Sequence, residues 1–225
     1  MNPMRISVLV PIYNEADCLE TFFHNLLDEF DYLNGIDFDY WFVDDGSMDA
    51  SPQILDHFAA MNQRIHVIKL MGNHGHQRAL IAGLDHADGD AVLMMDGDGQ
   101  HPVSTAAEMI RTFVNEPGYD IVQGVRLGTQ GGFGKNMTSR LFYWLANRLI
   151  TEINMEPGVS DFRVMSAAAV DIVRSFPDRY RNLRVLLAKL KLPTKHISYP
   201  VGERIAGHSK YNWRKMMRLA VDGLF

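Results

Sequence analysis

The run Met94-Met95-Asp96-Gly97-Asp98-Gly99-Gln100-His101-Pro102 follows directly on an apolar stretch that begins at Ala91. Carboxylates two residues apart at a strand end can address one cation together. Oxygen ligands suit Mg2+ or Mn2+, which typically bind one or two carboxylates plus substrate phosphates. A lone Asp-x-Asp is also an ordinary turn or capping sequence, so the pair gains weight only from its surroundings. Val10-Pro11-Ile12-Tyr13-Asn14-Glu15 places an aromatic ring and a carboxylate at another strand exit, although Glu15 would equally suit the first turn of a helix. Asp44-Asp45-Gly46-Ser47-Met48-Asp49 sets three carboxylates around a glycine turn, where a solvated turn and a polar base or ribose site both fit. His101 and the other histidines lack zinc-site spacing, and most of them read as surface or hydrogen-bonded residues.

These groups need a frame. Runs rich in β-branched and aromatic residues at 6–12, 40–44, 65–70, 91–96 and 120–125 predict strands, and helix-like segments separate them. Alternating β and α implies a mainly parallel sheet, whose ligands bind beyond the carboxyl ends of the strands. The second helix is predicted to start at Ser51 as its cap, with Pro52 in the first turn. The third is expected over about 75–87. After Arg126 the pattern changes to a glycine-rich stretch, 128–134, expected to act as a mobile lid, and then a helix over about 136–150. A strand near 162–165, helices over 167–176 and 182–190, and a strand at 195–201 lead to a basic tail.

The chain has 225 residues and a formal net charge of −5, which suits one domain and argues against general nucleic-acid affinity. Cys18, the single cysteine, has no disulfide partner, fits a reducing compartment and reads as a helix core residue. The start of the chain lacks the apolar stretch of a signal peptide, so export is not expected. No run approaches the roughly 18 apolar residues that span a bilayer.

Seven pieces occur in one order: Val10 to Glu15, Asp44 to Asp49, Asn73-x-Gly75-x-Gln77, Asp96 to Pro102, Gly124-Val125-Arg126, Asp161-Phe162-Arg163, and Arg204-x-x-Gly207-x-Ser209-Lys210-Tyr211. Together they make the chain resemble family 2 of the inverting glycosyltransferases, in its polyprenyl-phosphate branch. The resemblance covers nearly the whole chain and implies a GT-A type, Rossmann-like α/β fold. By that resemblance Pro11, Tyr13, Glu15 and Asp44, with Asp45 beside them, line the nucleotide base and ribose. Asp96, Asp98 and Gln100 hold Mg2+ or Mn2+ on the diphosphate. Asp161 lies near the transferred sugar, and Arg126, Arg204, Ser209 and Lys210 contact donor or acceptor phosphates. Many relatives carry a second arginine shortly after the one matching Arg126, and here Lys135 is the candidate for that charge.

The resemblance implies a nucleotide-sugar donor, UDP-glucose first and GDP-mannose next, and a polyprenyl phosphate acceptor at the cytoplasmic face of a membrane. A phosphate acceptor is already largely anionic near neutral pH, so Asp161 would orient the sugar; a hydroxyl acceptor would instead need it as base. A soluble transferase acting on a saccharide or protein is the alternative, and a nucleotide-binding regulatory domain without turnover is a third reading. A dinucleotide oxidoreductase is disfavoured because no Gly-x-Gly-x-x-Gly follows the first strand. The catalytic domain is expected over 1–211. Residues 212–225 form an amphipathic helix in projection, with Trp213, Met216, Met217, Ala220 and Leu224 opposite Arg214, Lys215, Arg218 and Asp222, suited to an anionic membrane surface or to packing on the domain. Several relatives continue into transmembrane helices, so an anchor beyond residue 225 is expected; self-association stays open.

Overall fold

In the computed structural model, residues 3–127, 158–177, 182–200 and 202 are described. The expected lid at 128–134, the helix over 136–150, the 212–225 helix, and Lys135, Arg204, Ser209 and Lys210 lie outside them. The chain runs β1 (Met4–Ile12), α1 (Ala16–Phe30), β2 (Ile36–Asp44), α2 (Ser51–Met61), β3 (Ile65–Lys69), α3 (His76–Leu84), β4 (Ala91–Met94), α4 (Val103–Asn115), β5 (Ile121–Leu127), β6 (Val159–Ser166), α5 (Ala167–Arg174), α6 (Leu183–Leu190) and β7 (Thr194–Pro200). The mainly parallel sheet expected from the strand-helix alternation is present, in the order β3-β2-β1-β4-β6-β5-β7. β6 alone runs against its neighbours β4 and β5.

Alternation along the strands divides the interior into two layers. Ile6, Val8 and Val10 of β1 join Phe22, Leu26 and Ile110 on one face, while Leu9 meets Leu80, Met94 and Leu186 on the other. The same alternation in β6 sends Phe162 and Val164 to the first layer and Met165 to the second. Asp161 and Arg163 share the period of Met165, so they point toward the α3 and α6 side. Cys18 is buried in α1, as expected for a core residue.

Two local expectations differ. Ser51 does not cap α2: Ala50 holds the cap position, and the Ser51 hydroxyl instead accepts the Glu15 N–H at 2.9 Å. The Ser51 hydroxyl thus ties the β1–α1 loop to the start of α2 rather than closing the helix end. α3 is also shorter than expected, since Asp85 to Gly89 turn down into β4.

Candidate active site

Strand order reverses beside β1, where β2 and β3 lie on one side and β4 on the other, so the cleft past the carboxyl ends of β1 and β4 is where an α/β sheet takes its ligand. Sequence places Tyr13 to Glu15, Asp44 to Asp49 and Asp96 to Gln100 in the loops at this edge.

The first two of these loops are laced together. Asn14, at φ 52, donates its N–H to the Ser47 hydroxyl at 2.9 Å, and its side-chain oxygen accepts the Met48 N–H at 2.7 Å. Asp44 is buried and accepts the Ser47 N–H. The two Asp45 oxygens accept the His74 and Gly75 N–H groups at 2.7 and 2.8 Å. Asp49 accepts from Ala16 and Ser51. The acidic cluster thus braces three loops, and Gly46 is the pivot: its φ is +73, and a Cβ there would stand 2.6 Å from Gly72 Cα. Pro11 is buried in β1, while Tyr13 and Glu15 are half-buried in the braced rim.

Beyond β4, Asp98 accepts the Gln100 N–H at 3.0 Å, keeping the three oxygen-bearing residues Asp96, Asp98 and Gln100 in one turn. The turn is fastened from two sides. The buried His101 accepts the Asp96 N–H on Nδ1 at 2.9 Å and stacks on Phe162. A backbone N–H can only donate, so the neutral ring carries its proton on Nε2, 3.6 Å from Asp96 Oδ2. Burial, with Arg126 nearby, holds the His101 pKa below its ordinary value despite Asp96. Gly202, two residues past β7, donates to the Gln100 carbonyl at 3.1 Å; a Cβ there would stand 2.6 Å from the Gly99 oxygen. Arg126 joins the group, its Nε donating to the Tyr199 hydroxyl at 3.2 Å and its terminal nitrogen 3.4 Å from His101.

Asp161 lies at the centre of a cationic clasp. Oδ1 accepts from Arg163 at 3.1 Å; Oδ2 accepts from Gln77 at 2.8 Å and from two Arg184 nitrogens at 3.0 and 2.8 Å. Burial opposes its charge, but His76 and the two guanidinium groups overcome that and hold its pKa well below the carboxylate range. Asp96 shows the same contest: burial raises its pKa, and His101, His76 and Arg126 bring the net value below the usual one. His76 Nε2 is 3.5 Å from Asp96 Oδ1 and 3.4 Å from Asp161 Oδ2.

Asp96, Asp161 and Arg126 therefore meet through two histidines. Sequence reasoning assigned no role to His76, Gln77, Arg163 or Arg184. Gln77 and Arg163 stood inside quoted motifs, and His76 was the unspecified position before Gln77. Arg184, in the first turn of α6, had no signal at all, because only the fold brings it to Asp161.

A mostly parallel sheet with carboxylates and cationic side chains gathered at its switch point is the arrangement of a polar α/β ligand site. The Glycosyl transferase family 2 model matches residues 7–173, and the chain belongs to that family and is a glycosyltransferase. It is 33% identical over 222 residues to the bactoprenol glucosyl transferase of Shigella phage SfV, covering 98% of this chain and 71% of that protein. Among solved structures it is similar to the mannosyltransferase of Pyrobaculum calidifontis in complex with GDP-Man and Mn2+ (TM-score 0.65, 18% identity, covering 97% of this chain and 62% of that one). It is also similar to glucosyl-3-phosphoglycerate synthase from Mycobacterium tuberculosis in complex with Mn2+, UDP and phosphoglyceric acid (TM-score 0.66, 18% identity, covering 97% of this chain and 75% of that one). These structural likenesses give the fold, of GT-A type.

Proposed function

We propose that the protein moves a hexose from a nucleotide diphosphate sugar to a polyprenyl phosphate with inversion, UDP-glucose being the first donor to test and GDP-mannose the next. The observation that carries this reading is the state of Asp161. Burial notwithstanding, His76, Arg184 and Arg163 hold its pKa well below the usual carboxylate range, and its two oxygens already accept from Arg163, Gln77 and Arg184, which makes it a poor proton acceptor. An acceptor that is itself an anion needs no base, whereas a saccharide or protein hydroxyl does. The similarity to a bactoprenol glucosyl transferase supports the same choice.

In this reading a phosphate oxygen of the acceptor attacks the anomeric carbon from the face opposite the nucleotide. The bond to the diphosphate oxygen breaks and its electron pair leaves on the diphosphate, so one displacement inverts the centre. Arg126, which contacts Tyr199 and His101 beside the Asp96 turn, is proposed to meet phosphate charge; Arg204, Lys210, Ser209 and Lys135 are proposed to share that task. Pro11, Tyr13, Glu15 and Asp44 are proposed to receive the base and ribose, with Asp45 holding their rim to the β3–α3 loop.

The oxygen donors of Asp96, Asp98 and Gln100 fit Mg2+ or Mn2+. Asp96 is held ionised and keeps 29% of its side chain exposed. Two carboxylates and an amide oxygen leave positions on such an ion for substrate phosphates. Bound there, the ion would offset negative charge on the departing diphosphate. Asp98→Ala is expected to lower turnover at least about a hundredfold, roughly 2.7 kcal/mol of transition-state stabilisation, and chelation should weaken donor binding in calorimetry. Full activity in EDTA would contradict the metal assignment.

A further inference from the structure

We propose that His76 is a positioning residue: it shares one Nε2–H between Asp96 and Asp161, fixing the diphosphate-side carboxylate relative to the sugar-side one. The assignment of those two sides rests on the function proposed above; the sharing itself does not. Nε2 is 3.5 Å from Asp96 Oδ1 and 3.4 Å from Asp161 Oδ2, so one ring nitrogen faces two acceptors that carry like charge. An imidazole nitrogen holds at most one hydrogen, which makes the contact a bridge rather than two independent bonds. Both distances exceed the usual 2.9 to 3.0 Å for such bonds, as fits one hydrogen divided between two oxygens.

Folding alone does not require this bridge. Asp161 already accepts from Arg163, Gln77 and Arg184, and the Asp96 loop is fastened through His101 and Gly202. His76 keeps 40% of its side chain exposed, against 1% for Asp161. Its stem, however, is tightly placed. The preceding His74 and Gly75 N–H groups are held by Asp45, and the following Gln77 donates to Asp161 while its own oxygen accepts the Leu183 N–H. The ring thus stands on a segment that touches the β2–α2 rim, the β4–α4 turn and β6 together.

Two measurements test this on the intact protein. In nitrogen-15 NMR of histidine side chains, the His76 signal should show a protonated Nε2 and should move in both Asp96→Asn and Asp161→Asn; a signal moved by only one substitution, or by neither, overturns the bridge whether or not the acceptor is correctly assigned. In kinetics with UDP-glucose and a polyprenyl phosphate, His76→Phe should lower kcat at least about tenfold, change the donor KM less than about threefold and leave Tm nearly unchanged, with His76→Gln restoring most of the lost kcat through its side-chain N–H. Parental kcat in His76→Phe, or no recovery in His76→Gln, would overturn the positioning role. A parent inactive with every polyprenyl phosphate would instead defeat the acceptor reading and leave the NMR result to decide the bridge.

Discussion

Asp161 concentrates the site's electrostatics, because it is a buried anion held by one buried and one half-buried guanidinium. Such a group ties stability to pH. Its folded-state pKa lies below that of an unfolded aspartate, so its ionisation adds stability at any pH above the ordinary carboxylate range, and that stability is lost as pH falls through the folded value. Asp161→Asn leaves Arg163 buried beside a neutral amide and is expected to cost about 3 kcal/mol at neutral pH. The penalty should shrink once pH drops below about 4, where the parent begins to lose the same contribution. Urea unfolding of both proteins across that range checks it; a penalty independent of pH would assign the loss to packing.

Among the elements, the β2–α2 loop turns on one residue. Gly46 combines a positive φ with backbone contact against Gly72, so Gly46→Ala is expected to cost about 2 kcal/mol or more and to weaken UDP binding by loosening the rim. Thermal unfolding and calorimetry would show both effects, and a parental Tm would contradict the brace. The strands themselves were legible, since β-branched runs at 6–12, 40–44 and 65–70 match β1 to β3 within a few residues. Asp96 and Asp161 were legible through motifs. The partners of Asp161 were not: Gln77 and Arg184 stand 84 and 23 residues from it and arrive only when the starts of α3 and α6 meet the edge of β6. Ser51 shows the opposite limit, because a sound capping signal yields once the β1–α1 loop lies alongside and its Glu15 N–H donates to the Ser51 hydroxyl.

At the scale of the whole molecule, no helix among the described residues is long and apolar enough to cross a membrane. We propose that the residues around 213–224 supply surface affinity, on the strength of the basic and apolar residues their helical projection separates. Binding to vesicles should rise with anionic lipid, fall with salt, and drop when Arg214, Lys215 and Arg218 are all replaced by Glu, each lost cation removing about 1 kcal/mol. Equal sedimentation of parent and triple variant would reduce that segment to packing. The central claim concerns the acceptor. Its most direct test is to incubate the protein with UDP-glucose or GDP-mannose and Mn2+, offering a short polyprenyl phosphate or a saccharide hydroxyl, and to identify the products by mass spectrometry and NMR. The account predicts a glycosyl polyprenyl phosphate with inverted anomeric configuration and no transfer to the saccharide; transfer to the hydroxyl acceptor with none to the lipid phosphate would contradict it.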